Sequence, residues 1–329
     1  MQAAHYERTG PAREVLQVSV LQDPAPAADE VLVRLRWSGV NPSDVKSRGG
    51  LRTTALPFAR IVPHSDGMGV IEAVGPGVDP DRVGQRVWVW NAAWERPSGT
   101  AAQFVALPQR QAVVLPPEVS DEAGACLGIP ALTALHAVLV DGGVEGKSVL
   151  VAGGAGAVGH YAVQFARRLG ARQVLSTVSG EHKAALAFEA GADGVANYRT
   201  DDVRAWVRDR TDGRGVDRIV EVDIAANGSL DVDVLRKGGD CVVYGAGQRE
   251  FALPFFPLIS KHARLRFFIV YTLEDADRRR ELAMLADFLR DGKLSHNIAA
   301  RLPLADIAAA HELVESGRAT GNVVLQIPE

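Results

Sequence analysis

Apolar and polar residues alternate in short runs along the first third of the chain. Val31-Leu-Val-Arg-Leu-Arg-Trp37 has the two-residue period of a half-buried strand. Gly69-Val-Ile-Glu-Ala-Val74 and Arg86-Val-Trp-Val-Trp90 are two more short apolar runs. Turn clusters separate them, Gly75-Pro-Gly-Val-Asp-Pro80 and Asp81-Arg-Val-Gly84. Short strands at this spacing predict a β-barrel or sandwich.

The rhythm changes at residue 121. Ser120-Asp-Glu-Ala offers a helix cap and an acidic first turn, and the Ala/Leu-rich stretch after it predicts helix as far as Val140. Ser148-Val-Leu-Val-Ala152 is a continuous apolar strand, followed by a glycine loop and a helix over His160–Leu169, with Gly170 at its C′ position. Next come strand Gln173–Val178, helix Glu181–Ala190, strand Gly194–Asn197, helix Val203–Arg210 and strand Asp217–Val222. Strand Cys241–Tyr244 and the apolar run Leu265–Tyr271 close this part, and helix Asp277–Leu289 precedes a last strand, Asn322–Ile327. Such alternation predicts βαβ units and a parallel sheet covered on both faces, an α/β fold.

A chain of 329 residues exceeds the size of most single cores, so two domains are expected. Its 36 basic and 40 acidic residues give a net charge of −4 with no long block of either sign, which argues against nucleic-acid or anionic-membrane partners. No apolar run approaches the roughly 20 residues that span a bilayer. The start of the chain lacks the apolar core of a signal peptide. Two cysteines, Cys126 and Cys241, exclude a disulfide framework and a four-cysteine zinc site, and fit a reducing, cytoplasmic compartment.

Ala152-Gly-Gly-Ala-Gly-Ala-Val-Gly159 lies between a buried strand and a helix, the context a dinucleotide site requires. Glycines allow the tight turn and close approach to a pyrophosphate, whose charge meets the free N–H groups of the helix N-terminus. The expected contacts are Gly153, Gly154, Ala155, Gly156, Ala157 and Val158. After the second strand an NAD site usually places Asp or Glu to hold the ribose hydroxyls. Here the chain reads Val178-Ser179-Gly180, with no carboxylate before Glu181. Ser179 as donor and Lys183 as cation would suit a 2′-phosphate, although Lys183 could equally be a solvated helix lysine.

Joined with further motifs, these residues make the chain resemble the medium-chain dehydrogenase/reductase superfamily, and within it the zinc-free NADPH:quinone oxidoreductase (zeta-crystallin) branch. The motifs are Gly39-Val-Asn-Pro-Ser-Asp44, Pro63-His-Ser-Asp-Gly-Met-Gly-Val-Ile-Glu-Ala-Val-Gly75, Val83-Gly-Gln-Arg-Val87, Leu127-Gly-Ile-Pro-Ala-Leu-Thr-Ala134, Ala192-Asp-Gly-Val-Ala-Asn-Tyr-Arg199 and Gly321-Asn-Val-Val-Leu325. The resemblance implies a GroES-like barrel domain over residues 1–122 and 274–329, a Rossmann domain over 123–273, and an active site in the cleft between them. It implies NADPH as cofactor, with Lys183 and Tyr198 at the 2′-phosphate and Thr133 and Gly245 lining the site. Phe268, Val270 and Asn322 are expected as further cofactor contacts. It also implies a homodimer paired through an edge strand at Phe267–Tyr271, an apolar edge that would otherwise be an aggregation hazard.

Zinc-dependent relatives bind their ion through Cys, His and Cys. The matching positions here are Asn41, Ser65 and Ile129, which cannot make that ligand set, so no metal is expected. His64 is one residue off, which in an extended segment turns its side chain to the other face, so a cleft-lining or hydrogen-bonded role is expected instead. Without a Lewis acid an unactivated ketone is a difficult acceptor, whereas quinones and activated enones spread the incoming charge. The expected reaction is hydride transfer from NADPH to a quinone. The alternatives are enone or acrylate reduction, or a cofactor-binding protein with little turnover. Asn41 and Asp44 are expected to order the site. Lys46 stands where family members often have tyrosine, and either donates to the acceptor oxygen or points to solvent. Solvent is itself an adequate proton source.

Overall fold

The computed structural model describes residues 1–51 and 55–329, which form two compact units. The first comprises Met1–Pro130 and Ala286–Glu329, the second Ala131–Leu285. The expected boundaries lay at 122/123 and 273/274. The second of the observed boundaries falls inside one continuous helix, Asp275–Arg290, so no loop marks it for a reader of the sequence.

The first unit is β-rich. Strands β1 (Gln2–His5) and β2 (Gln17–Val20) form an antiparallel pair flanking α1 (Ala12–Val15). A mixed sheet runs through β3 (Glu30–Val40), β4 (Asp66–Val74), β5 (Arg86–Val89), β6 (Phe104–Pro108), β7 (Ala112–Val114), β14 (Ile298–Pro303) and β15 (Asn322–Gln326). The long β3 is its hub, pairing with β15, β4 and β6, all antiparallel. Alternate residues Val31, Val33 and Leu35 enter a core with Ile71, Val87, Val105 and Leu325, which explains the two-residue period. Helices α2 (Pro42–Arg48), α3 (Asp121–Gly124) and α11 (Ile307–Glu315) complete the unit.

The single helix expected over 121–140 is three pieces: α3, a π-helical turn over Leu127–Ala131, and α4 (Leu132–Leu139). Gly124, Gly128 and Pro130 interrupt the ladder, and Gly128 has a packing reason. A Cβ there would lie 2.2 Å from Asp66 Oδ1.

In the second unit six parallel strands alternate with helices. In chain order these are β8 (Ser148–Ala152), α5 (Ala157–Arg168), β9 (Gln173–Val178), α6 (Glu181–Glu189), β10 (Gly194–Asn197), α7 (Val203–Arg210), β11 (Val216–Glu221), α8 (Ile224–Val234), β12 (Leu235–Val243), α9 (Phe255–Lys261) and β13 (Arg264–Phe267). The helix α10 (Asp275–Arg290) follows. The sheet order, β10-β9-β8-β11-β12-β13, is the doubly wound Rossmann order, with its switch point between β8 and β11. Every residue of β8 is buried, which is why that strand reads as an unbroken apolar run. The expected edge strand at 267–271 is displaced: β13 ends at Phe267, and Val270–Thr272 is a 3-10 turn. Val270 is buried and its carbonyl accepts from Arg278, which turns the chain away from the sheet.

Candidate functional site

The glycine loop joins β8 to α5 at the carboxyl end of the parallel sheet, where open α/β sheets bind ligands. Gly153 has a φ of 70°, a region side chains rarely enter. A Cβ on Gly154 would sit 2.1 Å from Ser176 Oγ, and one on Gly159 2.2 Å from Gly153 O. At Gly154 and Gly159 the loop therefore packs backbone closely with no room for a side chain. The N–H groups of Gly153 and Gly154 are spent on Thr177 O, at 3.0 and 3.2 Å. The first helical bond of α5 is His160 N–H to Gly156 O at 3.0 Å, so the N–H groups of Ala157, Val158 and Gly159 have no intrahelical acceptor. No acidic residue occupies that first turn. The result is a cradle for an anion.

Next to it, Ser179 follows β9 and Lys183 lies in the first turn of α6. Tyr198 follows β10 and donates its N–H to Val178 O at 3.0 Å, which brings Ser179 and Tyr198 to adjoining strand ends, with Lys183 in the first turn of the helix that follows. Tyr198 is exposed, and no ion pair involving Lys183 occurs among the described residues. Arg199, also exposed, is a second cation at this corner that sequence reasoning passed over.

Between the glycine loop and β12 lies Val222, exposed at the end of β11. A Cβ on Gly153 would touch its side chain at 3.8 Å, and one on Gly245 would meet its carbonyl at 2.2 Å. Val222 is thus a wall residue of the cradle, unmarked in the sequence because it looks like the end of an ordinary core strand.

The first unit holds a second constellation. Asn41 caps α2: its N–H donates to Asp44 Oδ2 at 2.8 Å, and Asp44 N–H returns to Asn41 O at 3.0 Å. This reciprocal cap fixes the first turn of the helix that carries the half-buried Lys46. Asn41 Nδ2 donates to Asp66 Oδ2 at 2.9 Å, and Ile129 N–H donates to the same oxygen, also at 2.9 Å. Asp66 is fully buried, and burial pushes its carboxyl well above the usual range, with the Asp44 charge adding to the effect. His64 has a φ of 76° and no exposed surface. Its Nδ1 is 2.8 Å from Ser38 Oγ and its Nε2 is 2.9 Å from His311 Nε2. This is the geometry of a buried, hydrogen-bonded histidine.

Two family models match the chain, Alcohol dehydrogenase GroES-like domain over residues 27–117 and Zinc-binding dehydrogenase over 157–288. A human quinone oxidoreductase is 30% identical, over 97% of this chain and 95% of its own. The chain belongs to the quinone oxidoreductase-like branch of the medium-chain dehydrogenase/reductase superfamily. Among solved structures, an NAD-dependent alcohol dehydrogenase superposes with a TM-score of 0.89 at 30% identity and full coverage of both chains. A mycobacterial protein complexed with NADPH gives 0.87 at 30% identity, over 99% of this chain and all of its own.

The three positions expected to match the metal ligands of zinc-dependent relatives carry Asn41, Ser65 and Ile129. An amide, a hydroxyl and a hydrocarbon do not fit zinc, which takes thiolate, imidazole or carboxylate. Two of them are instead tied to the Asp66 carboxyl, Asn41 through its amide and Ile129 through its main chain. Of the expected cofactor residues outside the cradle, Thr133 is buried in α4, and the Phe268 ring packs on His136 with centroids 4.5 Å apart. Asn322 belongs to the first unit and donates one of its two amide N–H groups to Asn297 O at 3.0 Å. Among the described residues no helix is long and apolar enough to cross a membrane.

Proposed function

We propose that this oxidoreductase uses NADPH to reduce a quinone, or a similarly conjugated carbonyl compound, without a metal ion. The observation that carries the cofactor is the corner formed by Ser179, Lys183 and Tyr198, with no carboxylate at the end of β9 to repel a 2′-phosphate. The NADPH complex of the mycobacterial relative supports the same reading. The cradle at Gly153–Val158 fits the pyrophosphate: its glycines clear the approach, and the N-terminus of α5 supplies N–H donors and a positive dipole end. When bound, NADPH supplies a hydride. The chain's own residues then supply position and charge. Asn41 and Asp44 fix α2, and through it Lys46, whose ammonium would donate a hydrogen bond to the acceptor oxygen and hold the charge that develops there.

The metal-ligand positions bear on the acceptor. Asn41, Ser65 and Ile129 offer no Lewis acid, so an acceptor that delocalises the incoming charge suits the site better than a simple ketone. An enone or acrylate reductase remains the second reading, since the same delocalisation serves it. A third is a cofactor-binding protein with little turnover. The buried free thiols of Cys126 and Cys241 fit a reducing, cytoplasmic compartment. The deciding experiment is a stopped-flow screen of NADPH oxidation against quinones, enones and acrylates, with and without a zinc chelator. Rapid turnover of quinones, unchanged by the chelator, is the expected result. No turnover with any quinone would overturn the substrate reading, and inhibition by the chelator would overturn the metal-free one.

A further inference from the structure

Glu221 ends β11, and Asp231 lies two turns along α8; both are buried. Glu221 Oε1 accepts from Asp223 N–H at 2.5 Å and from Asn227 Nδ2 at 2.9 Å. Asp223 in turn caps α8, and its Oδ1 accepts from Gly247 N–H at 2.7 Å, while Ile224 N–H reaches Gly245 O at 3.3 Å. A chain of bonds thus runs from Glu221 through Asp223 to the loop after β12. Val222, the residue it steadies, is the cradle wall between Gly153 and Gly245.

Each acid keeps one oxygen without a donor. Glu221 Oε2 and Asp231 Oδ2 are buried and, among the described residues, have no hydrogen-bond partner. Two ionised carboxylates so buried would repel each other, whereas one proton between them would satisfy both oxygens.

We propose that Glu221 and Asp231 hold one proton between them and act as a positioning pair for the dinucleotide, fixing Val222 and, through Asp223, the loop Gly245–Gly247. The proposal rests on the NADPH reading of the cradle. Its chemical surroundings agree. Burial, and then the Glu221 charge, push the Asp231 carboxyl up to about 9, and burial raises Glu221 as well. The groups around the pair are Asp223 on the following turn, Cys241 on β12 and Tyr244 just beyond it, each neutral or negative. The nearby cations are spent elsewhere. Lys261 binds the carbonyls of Val232, Asp233 and Leu235, and Arg218 pairs with Asp240. Among the described residues neither acid has a basic partner.

Loss of the shared proton would set two negative charges against each other under the cradle and open the contact. The test measures NADPH affinity by fluorescence titration from pH 7 to 10, alongside infrared spectra of the free protein at neutral pH. Wild-type affinity should weaken as pH passes about 9, where Asp231 releases its proton. In Asp231→Asn an amide N–H replaces that proton permanently, so its affinity should show a distinctly smaller alkaline loss. The infrared band of a protonated carboxylic acid should be weaker in this variant than in wild type. Glu221→Ala should bind about tenfold more weakly at every pH, since it removes the acceptor of two hydrogen bonds. If it does not fold, Asp231→Asn still decides. An alkaline loss in Asp231→Asn that parallels wild type, or an unchanged acid band, overturns the proposal. Wild-type protein that binds NADH but not NADPH at pH 7 overturns the cofactor reading alone, and the same titrations then proceed with NADH.

Discussion

His64 Nε2 and His311 Nε2 lie 2.9 Å apart within the first unit, and one hydrogen-bonded chain fixes which of them carries the proton. Thr100 Oγ1 donates to Asp66 O, so its only proton is spent. Ser38 must then donate to Thr100, and His64 Nδ1 must donate to Ser38. A neutral His64 is left with a bare Nε2, to which His311 Nε2–H donates. Nitrogen-15 NMR should therefore find His64 as the Nδ1–H tautomer and His311 as the Nε2–H tautomer. The same tautomer at both histidines would contradict this chain.

The same pair makes stability depend on acid. Burial lowers both histidines, His64 well below 6.5 and His311 to about 3, with the other ring acting on His64 and the Arg48 charge on His311. The unfolded chain protonates these groups near 6.5 while the folded one does not. Their stabilisation is therefore present above that pH and is lost as pH falls, at about 1.4 kcal/mol per pH unit for each histidine. Thermal midpoints should drop between pH 6.5 and 5, and His311→Gln should shed about one proton's worth of that slope. Equal slopes in the two proteins would exclude His311 as a contributor.

Asp66 predicts the opposite sign. Its folded-state pKa is raised, so ionisation of the unfolded chain above about 3.8 works against folding as pH rises. Asn at this position keeps an oxygen to accept from Asn41 and Ile129 and removes the ionisation. Asp66→Asn should match or exceed wild type in urea denaturation at pH 7, with the difference shrinking toward pH 4. Asp66→Ala leaves two buried donors unsatisfied and should cost about 1–3 kcal/mol for each. A large loss of stability in Asp66→Asn at pH 7 would mean that the folded protein needs the ionised carboxylate.

These groups show what a sequence displays and what it hides. Strands β8, β9 and β10 were readable to the residue because short, largely buried segments lie between glycine and helix-capping turn residues, most plainly in the fully buried β8. Strand β12 begins six residues before the expected Cys241, since its first half, Leu235-Arg-Lys-Gly-Gly239, is polar and glycine-rich. The glycine cradle was legible because its residues are local. The histidine pair joins positions 247 apart, and Asp66 gathers donors from two segments, so neither leaves a period or a spacing to find.

The proposed role of Lys183 makes a separate prediction about cofactor choice. A lysine bound to a 2′-phosphate forms a charge-assisted hydrogen bond of about 1.5–3 kcal/mol, roughly ten- to a hundredfold in affinity. Lys183→Ala should weaken NADPH by that factor and leave NADH nearly unchanged, as read by fluorescence titration. Equal losses for both nucleotides would return Lys183 to the ordinary surface, and Lys183→Ala/Arg199→Ala would then show whether the neighbouring cation carries the phosphate.

The edge of the parallel sheet predicts the assembly. Among the described residues strand β13 pairs with β12 on one side only, leaving the backbone groups of Arg264–Phe267 on the other side for a further strand. Around it Phe267, Ile269, Phe255, Phe256 and Ile259 are all exposed, and the rings of Phe251 and Phe267 lie 6.2 Å apart. An apolar open edge of this kind invites uncontrolled pairing unless a partner covers it. A second copy of the chain offers the same strand, and antiparallel pairing about a twofold axis would bury both patches. Sedimentation at micromolar concentration should give twice the 35.1 kDa chain mass. Phe267→Lys/Phe256→Lys should give the monomer with its circular dichroism spectrum unchanged, because neither side chain belongs to the buried core. The edge strand is Arg264–Phe267, so if the copies pair through it Tyr271→Lys should leave the dimer intact. A monomeric wild type would remove the edge from the assembly altogether.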